Sequence, residues 1–491
     1  MQNKSNFNQA IWLAISYTCS MLVGILSSVI LSRYFDKVQY GTYKQIIFVY
    51  NTLITIFQAG LPAVFTYFLP RYSKGEGKFI VRKLQILLFL LGACFAVCLF
   101  FGSGFIASLL NNPELTVGLR IFSVFPLFTL PTLGVEGIYT VNKNTRFVAI
   151  YQIVTRLTML FCIVIPVIIF KNDYRYALVG WGVASFVAFL IALVAKNRAY
   201  KDVDSIKLPN LTKEIFVYSL PIMGAALVSV VFNSANQFFI SRYYGTIAFA
   251  EFSNGFLTLP FVPIFIAPVR AVLTPVFAKA SAKGEYGEAL NSLHSGMQQI
   301  MTLMVPMIVF AFFFAREIMV FLYSSIYENS NIYFQTMLVY NYAEMFIISF
   351  ILSSIGKPKI TMYISIVCAV VLWILDICII KSNFGSPYLI VIVFVFVHIV
   401  SSYVIPGFYL TKKERMKLLD RKIIIYVSKI TLHTAIIGFL VYFSIRHFLS
   451  SMQLFWILCI GLLCYYALLL ATMSIIRVNY FSVFYRFIKK K

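Results

Sequence analysis

The sequence predicts an all-α, polytopic membrane protein of about fourteen transmembrane helices, built as two six-helix lobes plus two C-terminal helices. Three observations predict it. Hydrophobic residues make up 60% of the 491 positions and charged residues only 12%, where soluble domains run near a quarter charged. The apolar residues fall in runs of roughly 20, the length that crosses hydrocarbon as a helix. The cations collect in short segments between those runs, so the net charge of +24 reads as membrane topology rather than nucleic-acid binding.

Apolar runs place spans at 9–32, 45–70, 84–110, 115–141, 147–170, 175–195, 215–240, 252–279, 294–315, 332–355, 360–380, 388–410, 423–445 and 453–476. Twenty-eight Lys and Arg fall on one set of connecting segments, including Lys196 after span 6, and nine on the other. Arg120, Arg156, Arg270 and Lys429 lie within spans. That asymmetry implies an even number of spans with both termini cytoplasmic. The first apolar run, Ile11 to Leu31, is longer than the apolar stretch of a signal peptide, and further spans follow it.

An internal repeat sets the lobes. Ser32-Arg33-Tyr34 recurs as Ser241-Arg242-Tyr243, and Lys74-Gly75-Glu76 as Lys283-Gly284-Glu285, both at an offset of 209 residues. The expected organisation is an N-terminal lobe at 1–200, a C-terminal lobe at 201–412 with parallel topology, and spans 13 and 14 with a basic tail at 413–491.

Polar side chains within spans are costly and call for a role. Ser229, Asn233, Asn236 and Gln237 share helical spacing in span 7, and Asn51, Thr55 and Gln58 share a face of span 2 ahead of Gly60-Leu61-Pro62. These residues read either as the wall of a hydrophilic cavity or as helix–helix packing. The Ser20, Gly24, Ser27 and Ser28 stripe of span 1 reads as packing. Arg270 stands among Pro260, Pro263, Pro268 and Pro275 in span 8. A kinked, broken helix at membrane depth borders a cavity, and a guanidinium suits phosphate.

Arg156 in span 5 is a further cavity candidate. It lies at the depth of Glu136 in span 4, where an ion pair is the simpler reading. Glu344 in span 10 has no partner evident at its depth, and reads as a coupling group or a hydrogen-bonded packing residue. Arg120, Asp376 and Lys429 sit near span ends and can snorkel. His398 and His433 read as packing.

No catalytic residue, metal site or cofactor is implied. The eight cysteines form no CxxC pair, and there is no GxxxxGK[ST] loop for ATP. Asp36 and Glu328 are the acidic candidates in the longer outer loops, too little for a membrane glycosyltransferase or polymerase.

The run Leu31-Ser-Arg-Tyr-Phe-Asp-Lys-Val-Gln-Tyr-Gly-Thr-Tyr, with Gly60-Leu-Pro and Phe68-Leu-Pro-Arg-Tyr, resembles the opening of polysaccharide biosynthesis proteins. Those are O-antigen and capsule repeat-unit flippases of the multidrug/oligosaccharidyl-lipid/polysaccharide exporter superfamily. Tyr218-Ser-Leu-Pro, Ser241-Arg-Tyr-Tyr-Gly and Ile355-Gly-Lys-Pro-Lys extend the resemblance through the second half.

The resemblance implies a V-shaped pair of lobes in the bacterial plasma membrane, alternating access, and a cationic cavity lined by spans 1, 2, 7 and 8. The implied substrate is an undecaprenyl-diphosphate-linked oligosaccharide. Implied partners are membrane lipids and the polysaccharide polymerase and chain-length machinery, with no nucleic acid. The competing expectations are a lipid II flippase, a multidrug antiporter with twelve spans, and a membrane glycosyltransferase or polymerase.

Overall fold

The structure, a computed structural model, describes residues 2–170, 173–382, 385–449, 452–476, 478 and 480, with the side chains of 2–11, 13 and 14 excepted. Lys171, Arg477, Arg486, Lys489, Lys490 and Lys491, counted above among the connecting cations, lie outside the described residues, as does the side chain of Lys4. The described chain is helical, without strands. Twelve helical stretches are long and apolar enough to cross a membrane, and thirteen when one bent pair counts as a span. The protein is a multi-pass membrane protein. Side chains such as Phe101 and Leu463 stand 78% and 71% exposed on these helices, as surfaces facing lipid require.

Packing divides the chain into two compact units, one through Ala250 and one from Glu251 on. The first opens with α1 (Gln2–Tyr34) and α2 (Lys37–Phe57), whose N-cap Asp36 accepts the Gln39 N–H at 2.8 Å. Ala59 and Gly60 take left-handed φ values of 48° and 68°, so the span bends by 47° before α3 (Leu61–Phe68). The break falls where Gly60-Leu61-Pro62 requires it. Helix α4 (Lys74–Leu109) starts on a capping box between Ser73 and Glu76. Span 4 is made of three short helices, α5 (Leu115–Phe122), α6 (Val124–Thr129) and α7 (Val135–Val141). Helices α8 (Thr145–Phe170) and α9 (Tyr174–Ala199) pack on one another, and α8 also packs on α1.

Helix α10 (Leu211–Gly255) is broken at Gly245, whose φ of 81° no L side chain adopts easily. Gly245 lies 209 residues beyond Asp36, the break between spans 1 and 2, so the sequence repeat offset coincides with a backbone break. Ser241, the first residue of the repeated tripeptide, accepts the Gln45 side-chain amide at 2.7 Å, and Asn112 donates to Gln45 at 2.6 Å.

The second unit holds α11 (Phe261–Lys283), α12 (Gly287–Phe313), α13 (Ala315–Tyr323), α14 (Ser330–Glu344) and α15 (Ile351–Ser354). It continues with α16 (Pro358–Lys381), α17 (Pro387–Ile399), α18 (Ile405–Lys413), α19 (Arg421–Phe448) and α20 (Leu454–Ile476). Span 10, expected as one run at 332–355, departs from that expectation: α14 stops at Glu344, and a turn with Ile347 at φ 46° leads to the four-residue α15. Apolarity marks depth in the sequence but does not report such a turn. Helix α19 packs on α12 and α20, and His433 on α19 meets the hydroxyls of Thr472 and Tyr480 at 2.9 and 3.1 Å.

Two charged groups are placed differently from their sequence positions. Lys196, assigned above to a connecting segment, is 4% exposed in the last turn of α9. Its ammonium donates to the carbonyls of Pro131 and Leu133 at 2.7 Å and to Gln85 Oε1 at 2.6 Å. It therefore satisfies backbone acceptors freed where span 4 breaks ahead of α7. Asp376 does not snorkel: it is fully buried in α16, and neither carboxylate oxygen has a hydrogen-bond partner among the described residues. Distance from a span end fixes depth, not the direction in which the side chain points.

Replacing Lys196 with Met leaves the two carbonyls and the Gln85 oxygen without their donor. Each unsatisfied buried acceptor costs about 1–3 kcal/mol. The Lys196→Met protein is expected to melt several degrees below wild type in detergent; an unchanged midpoint would show that the ammonium does not hold the break.

Candidate functional site

Within the first unit, the short helices of span 4 and the Gly60 break leave space that straight helices would fill. The result is a cavity of about 680 Å³. Three sequence candidates, Asn51 from α2, Glu136 from α7 and Arg156 from α8, line it together. Gln58 does not line it; it ends α2, its backbone N–H bonded to Ile54 O. The remaining wall is hydroxyl, amide and aromatic: Thr66, Thr129, Thr132, Thr140, Thr155, Gln152, Ser185, Tyr17, Tyr50, Tyr151 and Trp181. Rings define one side, with Tyr50 edge-on to Phe125 at 4.9 Å and Trp181 edge-on to Phe125 at 5.0 Å. Trp181 Nε1 is anchored on Tyr43 Oη at 2.9 Å. Gln152 is buried at the wall, and its Oε1 has no partner among the described residues, leaving an acceptor for a bound donor.

The expected ion pair between Glu136 and Arg156 is not formed. Among the described residues no salt bridge joins them; Arg156 donates to Met159 Sδ at 3.8 Å. Equal depth brought both to one cavity, but their azimuths keep the charged tips apart.

Sequence reasoning missed most of the neutral wall. Its signal was present as spacing: Thr129, Thr132, Glu136 and Thr140 recur along span 4, and Gln152, Thr155, Arg156 and Met159 along span 5.

The span 7 stripe divides. Asn233 and Gln237, one turn apart, remain open; Asn233 donates to Ser229 O at 2.8 Å and Gln237 to Asn233 O at 3.5 Å. Asn236 does not share their face. It is fully buried, its Oδ1 accepts the Gln237 backbone N–H at 2.8 Å, and its Nδ2 has no partner among the described residues. Three residues of rotation carry it to the packed side of the helix. Ser28, on the packing stripe of span 1, accepts the Lys44 ammonium at 2.8 Å.

In the second unit, residues 256–260 interrupt the helical path and α11 carries Pro268 and Pro275 within it. Beside this broken path lies a cavity of about 390 Å³ lined by Thr258, Pro263, Arg270, Thr274 and Glu344. Arg270 has no ion pair or side-chain hydrogen bond among the described residues, so its donors face an open space. Glu344, without an evident partner in the sequence, accepts the Tyr340 hydroxyl at 3.1 Å, while its Oε2 is buried and unpartnered among the described residues. Tyr340 stands edge-on to His398 at 4.8 Å. Cavity, arginine, carboxyl and tyrosine therefore form one cluster.

The outer acidic candidates are used structurally. Asp36 caps α2, and Glu328 accepts Arg316 Nε at 2.6 Å, which holds its carboxyl below the usual range. Glu317, next to Arg316, pairs with Arg446 at 3.2 Å.

Broken membrane helices around polar cavities define a polytopic protein with the fold of the MOP-superfamily transporters. Residues 7–281 match the family described as polysaccharide biosynthesis protein, and the chain belongs to that family. No curated protein matches the sequence. Among solved structures, the lipid II flippase MurJ in an inward closed conformation is similar with a TM-score of 0.70 at 16% identity, covering 95% of this chain and 100% of that one. An outward-facing multidrug resistance MATE family transporter of the MOP superfamily is similar at TM-score 0.57 and 16% identity, covering 84% and 95%. A MOP superfamily transporter from Pyrococcus furiosus gives 0.55 and 13%, covering 84% and 95%.

Because no ion pair links Glu136 to Arg156, Glu136→Gln and Arg156→Gln are expected to shift the melting midpoint additively. In a double-mutant cycle their coupling should stay below about 0.5 kcal/mol; a coupling of about 2 kcal/mol would restore the pair.

Proposed function

We propose that the protein flips undecaprenyl-diphosphate-linked oligosaccharide repeat units from the cytoplasmic to the outer leaflet by alternating access, for O-antigen, capsule or other surface polysaccharide. The observation that carries this reading is the roughly 680 Å³ cavity walled by hydroxyls, amides and aromatic rings within membrane-spanning helices. Hydrocarbon offers sugars no hydrogen bonds. A wall of neutral donors, neutral acceptors and ring faces suits a polyhydroxylated ligand. Arg270, open to its own cavity, suits the diphosphate. Asn51, Arg156, Asn233 and Gln237 serve as polar substrate contacts, and Glu344 is the coupling carboxyl, connected to Tyr340.

The proposal includes two homologous six-helix lobes at 1–200 and 201–412, with 413–491 appended. The coincidence of Asp36 and Gly245 with the 209-residue offset supports the duplication. The membrane is the bacterial plasma membrane, with both termini cytoplasmic, and the polymerase and chain-length machinery consume the product. The protein acts as a transporter rather than an enzyme, in keeping with outer acidic groups that cap α2 and pair with Arg316.

A second reading, flipping of lipid II, is favoured by the match to MurJ over that protein's full length. Reconstitution in liposomes with each fluorescent lipid-linked substrate separates the readings. The oligosaccharide lipid is expected to change leaflet with its covalent structure intact, while lipid II stays where it began. Arg270→Ala is expected to abolish surface glycan export at normal protein level, and wild-type export in that variant would remove Arg270 from the site.

A further inference from the structure

A second pocket, of about 620 Å³, lies in the first unit where the start of α4 meets the end of α9 and the strand of chain that follows it. Its polar wall carries Arg82, Lys83, Gln85, Asn197, Ser205 and Lys207, and Lys196 is also at its wall; no lining residue is acidic. Arg82, Lys83 and Lys207 make no ion pair or hydrogen bond among the described residues. Lys196 fixes the orientation of Gln85: the amide oxygen accepts the ammonium at 2.6 Å, so the amide NH₂ is left to donate elsewhere.

The wall is held by the chain itself. Lys78 donates to Val203 O at 2.6 Å and Ile206 N–H to Gly75 O at 3.1 Å, tying the segment that bears Ser205 and Lys207 to the first turns of α4. The nearest carboxylate on α4, Glu76, is engaged by Ser73 N–H and Oγ at 2.9 and 2.8 Å. Like charges held this close repel unless an anion lies among them.

We propose that this pocket binds a phosphate group, borne by a lipid headgroup or by a soluble molecule. A guanidinium fork, ammonium groups, an amide and a hydroxyl approach from three chain segments, as the oxygens of a tetrahedral anion require. Phe79, Ile86 and Leu193 supply an apolar side to the same pocket, which suits the glycerol and first methylenes of a phospholipid. The site is separate from the roughly 680 Å³ cavity: the two share no lining residue.

The test uses the purified full-length chain in detergent, with melting followed against short-chain phosphatidylglycerol, short-chain phosphatidylcholine and inorganic phosphate. Wild type is expected to be stabilised by phosphatidylglycerol or by phosphate. Arg82→Gln/Lys207→Gln, two exposed positions whose loss leaves the core intact, should weaken that binding on the order of 10- to 30-fold. Lys412→Gln/Lys413→Gln, a control for overall charge, should not. Stabilisation by phosphatidylglycerol with phosphate inert assigns a lipid headgroup, and stabilisation by phosphate alone assigns a soluble ligand. The proposal is overturned if Arg82→Gln/Lys207→Gln responds as wild type does, if both double variants lose binding equally, or if neither phosphate probe acts on wild type.

Discussion

Hydrocarbon provides no partner for a backbone N–H or C=O, and the rest of this structure depends on that constraint. It makes every crossing a helix, and it makes every interruption of a helix an exposed set of polar groups that something must satisfy. The interruptions here are few and each is provided for. At the Gly60 bend the turn bonds back on itself, with Gln58 N–H on Ile54 O and Leu61 N–H on Gln58 O. Where span 4 breaks ahead of α7, the buried ammonium of Lys196 takes up the carbonyls of Pro131 and Leu133. At residues 256–260 the chain opens beside the Arg270 cavity instead. Breaks and cavities occur together because a break needs polar company and a cavity supplies it.

The same constraint explains which charges are spent on architecture. Asp36 and Glu76 cap helices, Glu328 and Glu317 pair with Arg316 and Arg446, and Lys357 pairs with Glu414, which raises the lysine above its ordinary range. The charged groups facing the two larger interior cavities, Glu136, Arg156, Arg270 and Glu344, form no ion pairs among the described residues. A structural charge inside a membrane protein normally finds its opposite. Groups left open beside space are free to meet a ligand.

The sequence made the fold class, the spans and the family legible because apolar run length and loop charge are one-dimensional signals. Arg270 was legible too, since four neighbouring prolines announce a broken helix. Azimuth was not. Glu136 and Arg156 share a depth, yet pairing requires their tips to meet, which depends on three short helices replacing one straight span. Asn236 has the spacing of the polar stripe to within a fraction of a turn and still faces the packed side. Lys196 looked like a loop charge because cations gather at span ends, and nothing local reveals that carbonyls from another helix await it. Asp376 failed for the same reason as the ion pair.

The interior chemistry then divides along lines that a lipid-linked glycan would use. The larger cavity of the first unit offers mainly hydroxyls, amides and rings, with one cation and one carboxylate whose charges are opposed. Such a wall is nearly neutral and holds sugars through many weak, exchangeable contacts, which permits release as well as capture. The cavity of the second unit is smaller and presents an uncompensated guanidinium, a group that holds a phosphate strongly and a neutral sugar weakly. A polyprenyl tail needs neither, because outward-facing phenylalanines and leucines leave it in lipid at no cost. A uniformly basic interior would bind a diphosphate too tightly to let it go; confining the unpaired cation to one wall, and placing Glu344 beside it, gives the protein a means of varying that grip.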